Sequence, residues 1–283
     1  MTKKILIPTD FSKNAWNAIT FATSLFKNQN CVFYLMNSYS INEFDIGDIK
    51  ASEFGVTSID KANNLSKQEL KKTLETLKSL NPDVKHTFKT ISEYGAPIDV
   101  MKSTISKKDL ELVIMGTKGR NNHSGTFFGS NTVTAMEEIR NCPVLGVPMD
   151  VKLGTLNEIV FPTNYEDSYK KRELAQLVQI AIKHESEICV LYVDPQKELS
   201  ANQKANMEVL SECLEGSKFS FHHLSSTNRS LAVRSFVESR ESKLVAMVNR
   251  KHGFFEKIFT TPMVKDLGMF DKVPLLVMHN LRN

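Results

Sequence analysis

The chain of 283 residues is long enough for one large or two medium domains, each burying its own core, and its 41% hydrophobic and 24% charged content is that of an ordinary globular protein. The 36 Lys and Arg residues exceed the 32 Asp and Glu residues by only four, and the excess is shared evenly between the two halves, which argues against nucleic acid or a membrane surface as a partner. Pro8 and Asp10 interrupt the first apolar run almost at once and no run is long enough to span a bilayer, so no signal peptide or membrane anchor is expected.

Ile5-Leu6-Ile7 reads as a short buried strand that stops at Pro8-Thr9-Asp10-Phe11-Ser12. Ala15, Ala18, Ile19, Ala22 and Leu25 form the apolar stripe of a helix after Ser12. A second strand follows at Cys31-Val32-Phe33-Tyr34-Leu35, and Leu70, Leu74 and Leu77 mark a second helix stripe in a strongly charged segment, assigned to core packing. Leu112-Val113-Ile114-Met115 is short, apolar and bounded by turn residues, as a buried parallel strand should be. Ser130 to Arg140 then places Val133, Met136 and Ile139 on one helix face. Strands alternating with helices argue for α/β architecture with a parallel sheet covered on both faces.

The chemistry concentrates in Gly116-Thr117-Lys118-Gly119, followed after nine residues by Gly129-Ser130. Strand, glycine loop and helix in that order aim backbone N–H groups and the positive end of a helix dipole at an anion. Gly116, Gly119 and Gly129 let the backbone wrap closely around a polyphosphate, and Ser130 adds a hydroxyl that can also cap the helix. No Asp or Glu lies between Gly116 and Ser130, whereas Lys118, Arg120 and His123 do. The segment is neither a Walker A loop nor the dinucleotide Gly-x-Gly-x-x-Gly.

With these residues the first half resembles the universal stress protein family, in the branch that binds ATP through Gly-x2-Gly-x9-Gly-Ser/Thr. Ile5 to Ser12 is similar to the family's first strand and acidic turn, Tyr94-Gly95-Ala96-Pro97-Ile98 to the turn before its third helix, and Cys142 to Pro148 to its last strand. The resemblance implies doubly wound five-stranded sheets in the order 3-2-1-4-5. It also implies Pro8, Thr9 and Asp10 beside the adenosine, Ser38 at the end of the second strand, and Met115 lining the base pocket. Gly116, Gly119, Gly129, Ser130, Asn131 and Thr132 would hold ribose and phosphates. Asp10 could contact a Mg²⁺ ion carried with ATP, and the same cradle would accept AMP or ADP. Met36-Asn37-Ser38 departs from the His-Val or His-Ala more usual at that strand end.

The chain also repeats itself. Ile5 to Phe11 returns as Ile159 to Tyr165, Cys31 to Leu35 as Cys189 to Val193, Leu112 to Met115 as Leu244 to Met247, and Pro143-Val144-Leu145 as Pro274-Leu275-Leu276. Leu174, Leu177 and Ala181 repeat the first helix stripe. We therefore expect two tandem domains, residues 1–150 and 155–283, which the resemblance pairs as a dimer fused into one polypeptide; a further homodimer stays open.

The second copy lacks the glycines. Val248 falls opposite Gly116, Lys251 opposite Gly119, Thr260-Thr261 opposite Gly129-Ser130, and Asn164 opposite Asp10. It is expected to be a structural or regulatory partner, with Arg250, Lys251, His252 and Lys257 making a solvated basic loop or binding another anion. The four cysteines form no Cys-x-x-Cys pair and are expected as buried thiols in a reducing cytoplasm. No general base is identifiable, so the expected function is ATP sensing or sequestration in a stress response. A slow ATPase or phosphotransferase, an AMP-selective sensor and a nucleotide-free interaction scaffold remain the alternatives.

Overall fold

The computed structural model of the chain describes residues 2–40, 58–80, 86–119, 128–195, 198–250 and 272–279. The first half runs β1 (Lys3–Pro8), α1 (Lys13–Leu25), β2 (Cys31–Tyr39), α2 (Ser58–Leu80), β3 (Thr87–Tyr94), α3 (Pro97–Lys108), β4 (Leu112–Gly116), α4 (Ser130–Glu138) and β5 (Val144–Val147). The second runs β6 (Glu158–Thr163), α5 (Lys171–His184), β7 (Glu187–Val193), α6 (Ala201–Cys213), β8 (Lys218–Leu224), α7 (Arg229–Ser239), β9 (Leu244–Asn249) and β10 (Leu275–His279).

All ten strands join one sheet in the order β3-β2-β1-β4-β5-β10-β9-β6-β7-β8. Each half has the 3-2-1-4-5 order, and every pairing within a half is parallel. The two five-stranded blocks are thus not separate sheets, because β5 pairs antiparallel with β10 across the middle. That ladder is symmetric: Leu145 faces Leu276, its own counterpart, and Val144↔Val277 mirrors Gly146↔Leu275.

Strand alternation sends Ile5, Ile7, Phe33 and Ile114 into one apolar layer under α1, α2, α5 and α6. Leu6, Met36, Val113 and Met115 enter the other layer, with α3, α4 and α7. Helices therefore change face between β1 and β4, and the crevice at their C-terminal ends is a topological switch point.

The stripe residues Ala15, Ala18, Ile19, Ala22 and Leu25 are all buried, as are Leu70 and Leu77 of α2, which pack on the core. α4 ends at Glu138, two residues before the Arg140 expected from its periodicity. The four cysteines are free and buried.

Hydrogen-bond registers relate the halves residue by residue. Leu112 pairs with Ile5 as Leu244 pairs with Ile159, and Val113 N donates to Pro143 O as Val245 N donates to Pro274 O. One expected match fails. Tyr34 pairs with Leu6, but Cys189 pairs with Val160, the counterpart of Leu6, so Cys31 and Cys189 are three positions out of step. An odd slip reverses every side chain, and the two thiols accordingly lie in opposite layers.

His279, at the end of β10, is buried, and neither ring nitrogen has a hydrogen-bond partner among the described residues. Burial, helped by the charge of Arg140, lowers its pKa from 6.5 to about 4. The unfolded chain therefore binds a proton that the folded chain refuses, and stability present above pH 6.5 is lost as pH falls toward 4. By that linkage the loss is roughly 3 kcal/mol. Urea midpoints measured between pH 7 and pH 4 should fall more steeply for the native chain than for His279→Phe; equal slopes would refute the assignment.

Candidate nucleotide site

The turn after β1 is built by two side chains. Thr9 Oγ1 accepts from Phe11 N at 3.0 Å and Asp10 Oδ1 from Ser12 N at 3.0 Å, which carries Phe11 into positive φ (63°). Ser12, rather than Asp10, caps α1, accepting from Ala15 N. This leaves the second carboxylate oxygen of Asp10 turned to the glycine loop, 3.2 Å from where a Cβ on Gly119 would stand.

The three glycines, separated by up to thirteen positions in sequence, converge. Gly129 N donates to Thr117 O at 2.6 Å, and a Cβ on Gly129 would stand 3.6 Å from Gly119 N. Gly129 is the N-cap of α4 and carries no capping side chain, so Ser130 is the first helical residue and not the cap the sequence suggested. Thr132 N donates to Gly129 O at 3.0 Å, which leaves Ser130 and Asn131 as the first-turn N–H groups without a partner within the helix. Ser130, Asn131 and Gly119 are exposed, whereas Thr132 is buried with its hydroxyl donating to Gly116 O at 2.9 Å. Thr132 thereby ties the helix to the strand end.

On the α3/α4 face, Pro8 ends β1 opposite Met36, and Ser38 lies two residues beyond Met36, half-buried opposite Glu93 of β3. Met115 is buried beside Met36 and forms the floor between them. Pro8, Ser38 and Met115 thus surround the strand ends from which the loop departs. Phe128 is buried in the core. Arg120, His123 and Phe127 lie outside the described residues. An open groove of ≈ 630 Å³ lies between β3 and α3, lined by Glu93, Asp99, Ser103 and Lys107. It contains the N-terminus of α3, but Pro97 there lacks an N–H and Asp99 and Glu93 put carboxylates into the groove, so the strand-end cleft is the better anion site.

Sequence reasoning missed Asn14. It is buried on the inner stripe of α1, and its Nδ2 donates to Lys118 O at 2.8 Å, fastening the glycine loop to the helix. A Cβ on Gly116 would stand 2.8 Å from Asn14 Cγ and 3.0 Å from Asn14 O, so Gly116 is required by packing as well as by any ligand. The signal was present, since a poor helix former occupies an apolar position.

The second half repeats the first turn closely. Tyr165 N donates to Thr163 Oγ1, Glu166 N to Asn164 Oδ1, and Tyr165 has φ 55°. Beyond it the halves diverge. Val248 takes the place of Gly116, and Glu173, which precedes the Leu174, Leu177 and Ala181 stripe as Asn14 precedes Ala15, Ala18 and Ala22, takes that of Asn14. Arg250, at the position of Lys118, is not a solvated loop cation. Its guanidinium donates to Ser168 O at 2.8 Å, meets Glu173 at 3.4 Å and Asp167 at 3.7 Å, and lies over the Tyr169 ring. Glu173 is almost wholly buried, so this cation is committed to the fold. Among the described residues, a small cavity lies above the strand ends, lined by Pro162, Asn164, Leu191 and Val193 and flanked by Arg229, which pairs with Asp194 at 3.2 Å. Lys251, His252, Lys257, Thr260 and Thr261 lie outside the described residues.

A sequence profile described as the universal stress protein family matches residues 1–148, just over half of the chain. The chain belongs to this family. The universal stress protein MJ0577 of Methanocaldococcus jannaschii is 28% identical over 155 residues, spanning 52% of this chain and 95% of the relative. Across both halves the fold is similar to a universal stress protein from Archaeoglobus fulgidus, with TM-score 0.64 at 15% identity, covering 98% of this chain and 96% of that one. It is also similar to a functionally unknown protein, PA1789, from Pseudomonas aeruginosa, with TM-score 0.59 at 10% identity, covering 98% and 92%. At these identities the structural matches speak for the fold, and the site rests on its own geometry.

The Asn14–Gly116 contact predicts a double-mutant cycle. Gly116→Val should destabilise the chain by about 1–3 kcal/mol through overpacking, and adding Asn14→Ser, which shortens the side chain it meets, should recover much of that loss. Guanidinium titrations of the two single variants and the double variant decide it: strictly additive losses would contradict the contact.

Proposed function

We propose that the chain is an ATP-binding universal stress protein that senses or sequesters adenine nucleotide, with the nucleotide held by the first half. The observation that carries this reading is the convergence of Gly119 and Gly129 with the α4 N-terminus beside the carboxylate of Asp10, on a loop that leaves β4 at Gly116. Phosphates would lie against the loop and the N–H groups of Ser130 and Asn131, in the turn that Thr132 ties to the strand end, with ribose between them and Asp10. The base would rest over Met115 between Pro8, Thr9 and Ser38. Mg²⁺ would enter with the phosphates and meet Asp10; no cluster of three metal-ligating side chains exists among the described residues, so the ion would depend on the nucleotide. AMP and ADP would use the same inner contacts.

We read residues 155–283 as a second domain that acts as an intrachain dimer partner to residues 1–150. The symmetric Leu145–Leu276 ladder supports the pairing, and the filled, ion-paired second loop supports a single nucleotide per chain.

Purified protein should release about one adenine nucleotide per chain on denaturation, identified by chromatography, and rebind ATP in calorimetry. Gly119→Val/Gly129→Val should weaken binding at least ~100-fold, about 2.7 kcal/mol. Two nucleotides per chain would overturn the asymmetry, and no binding by the native chain would leave an interaction scaffold as the function.

A further inference from the structure

α4 is gripped at both ends, by different halves of the chain. At its N-terminus, Thr117 O accepts from Gly129 N and Gly116 O from Thr132 Oγ1, both from the strand end of the first half. At its C-terminus, Asn249 Nδ2 of the second half donates to Met136 O at 3.1 Å. A helix leaves its last carbonyls without internal partners, and here a side chain from across the seam takes one of them. The geometry is specific to the repeat. Asn249 follows Val248 of β9 as Thr117 follows Gly116 of β4, so corresponding positions of the two halves hold opposite ends of one helix.

The packing under α4 spans the same boundary. Met136 is fully buried, and a Cβ on Gly146 would stand 2.6 Å from its Cε, so the helix sits as close to β5 as the chain permits. Gly146 in turn pairs with Leu275 of β10, and Met136, Val144, Leu275 and Val277 share one apolar layer. With nine residues, α4 is too short to bend appreciably between its ends, so a shift at Met136 is felt at Ser130.

We infer that Asn249 is a positioning residue for the phosphate cradle, and that the second half sets the nucleotide affinity of the first by fixing the C-terminal end of α4. The inference rests on the nucleotide reading above and gives the second half a task other than binding. It predicts selectivity. The base is placed on the ends of β1, β2 and β4 and the ribose beside Asp10, whereas the outer phosphates depend most on α4, so loss of the tether weakens ATP more than adenosine.

The test compares native chain, Asn249→Asp and Asn249→Gln by calorimetry with ATP and with adenosine. Asn249→Asp sets a carboxylate against the Met136 carbonyl and should lower ATP affinity about tenfold while adenosine affinity changes less than twofold. Asn249→Gln retains the donor and should recover most of the loss. Equal weakening for ATP and adenosine, or an unchanged ATP affinity, would overturn the inference while leaving the nucleotide site intact. Amide hydrogen exchange of α4 without nucleotide provides the second readout. It should accelerate in Asn249→Asp and return toward native in Asn249→Gln, and unchanged exchange would overturn the tether. If the native chain binds no ATP, the nucleotide reading fails separately, and the exchange result still decides the tether.

Discussion

The antiparallel pairing of β5 with β10 is the constraint on which the rest depends. Both are the last strands of their halves, and Val144, Leu145, Val147 and Leu275 to Met278 are buried almost completely. Separated, each half would present an apolar strand edge to water, a template for aggregation. Joined, the two edges remove each other and fuse the apolar layers of the halves into two continuous cores. Because the pairing centres on corresponding leucines, it is isologous in the manner of a symmetric dimer interface, but the covalent link allows the two copies to differ.

The divergence is confined to one place. Both halves keep the strand order, the Thr-based turn after the first strand and its aromatic residue at positive φ. Both also tie the loop after the fourth strand to the following-strand helix, with reversed polarity. In the first half a helix side chain, Asn14, donates to the loop carbonyl of Lys118; in the second a loop side chain, Arg250, reaches the helix carboxylate of Glu173 and donates to the carbonyl of Ser168, ahead of α5. The first arrangement leaves a loop of small residues beside a helix N-terminus. The second consumes the loop's cation in a buried pair with Glu173 and fills the space of Gly116 with Val248. One fold thus supports a cradle on one side and a plug on the other.

Much of this could be read from the residues. The alternation of strands and helices, the glycine spacing and the Asp10 turn are local patterns, and the resemblance supplied a strand order that the structure bears out. What escaped was tertiary. The shared Cys-Val-x-Tyr pattern suggested aligning Cys31 with Cys189, but the sheet register follows hydrogen bonding to the neighbouring strand and not side-chain identity. Asn14 and Arg250 looked like a plain helix residue and a surface cation because their partners lie 104 and 82 residues away in the chain, respectively. The continuous ten-stranded sheet depends on a contact between two segments that each read simply as a closing strand.

The most direct test of the central claim, that one half binds and the other is sealed, is a crystal structure of the chain grown with Mg²⁺ and ATP. The account predicts nucleotide only at Gly116, Gly119 and Ser130, with the Arg250–Glu173 pair unbroken. Nucleotide above Val248, with Arg250 drawn away from Glu173 toward a phosphate, would contradict it.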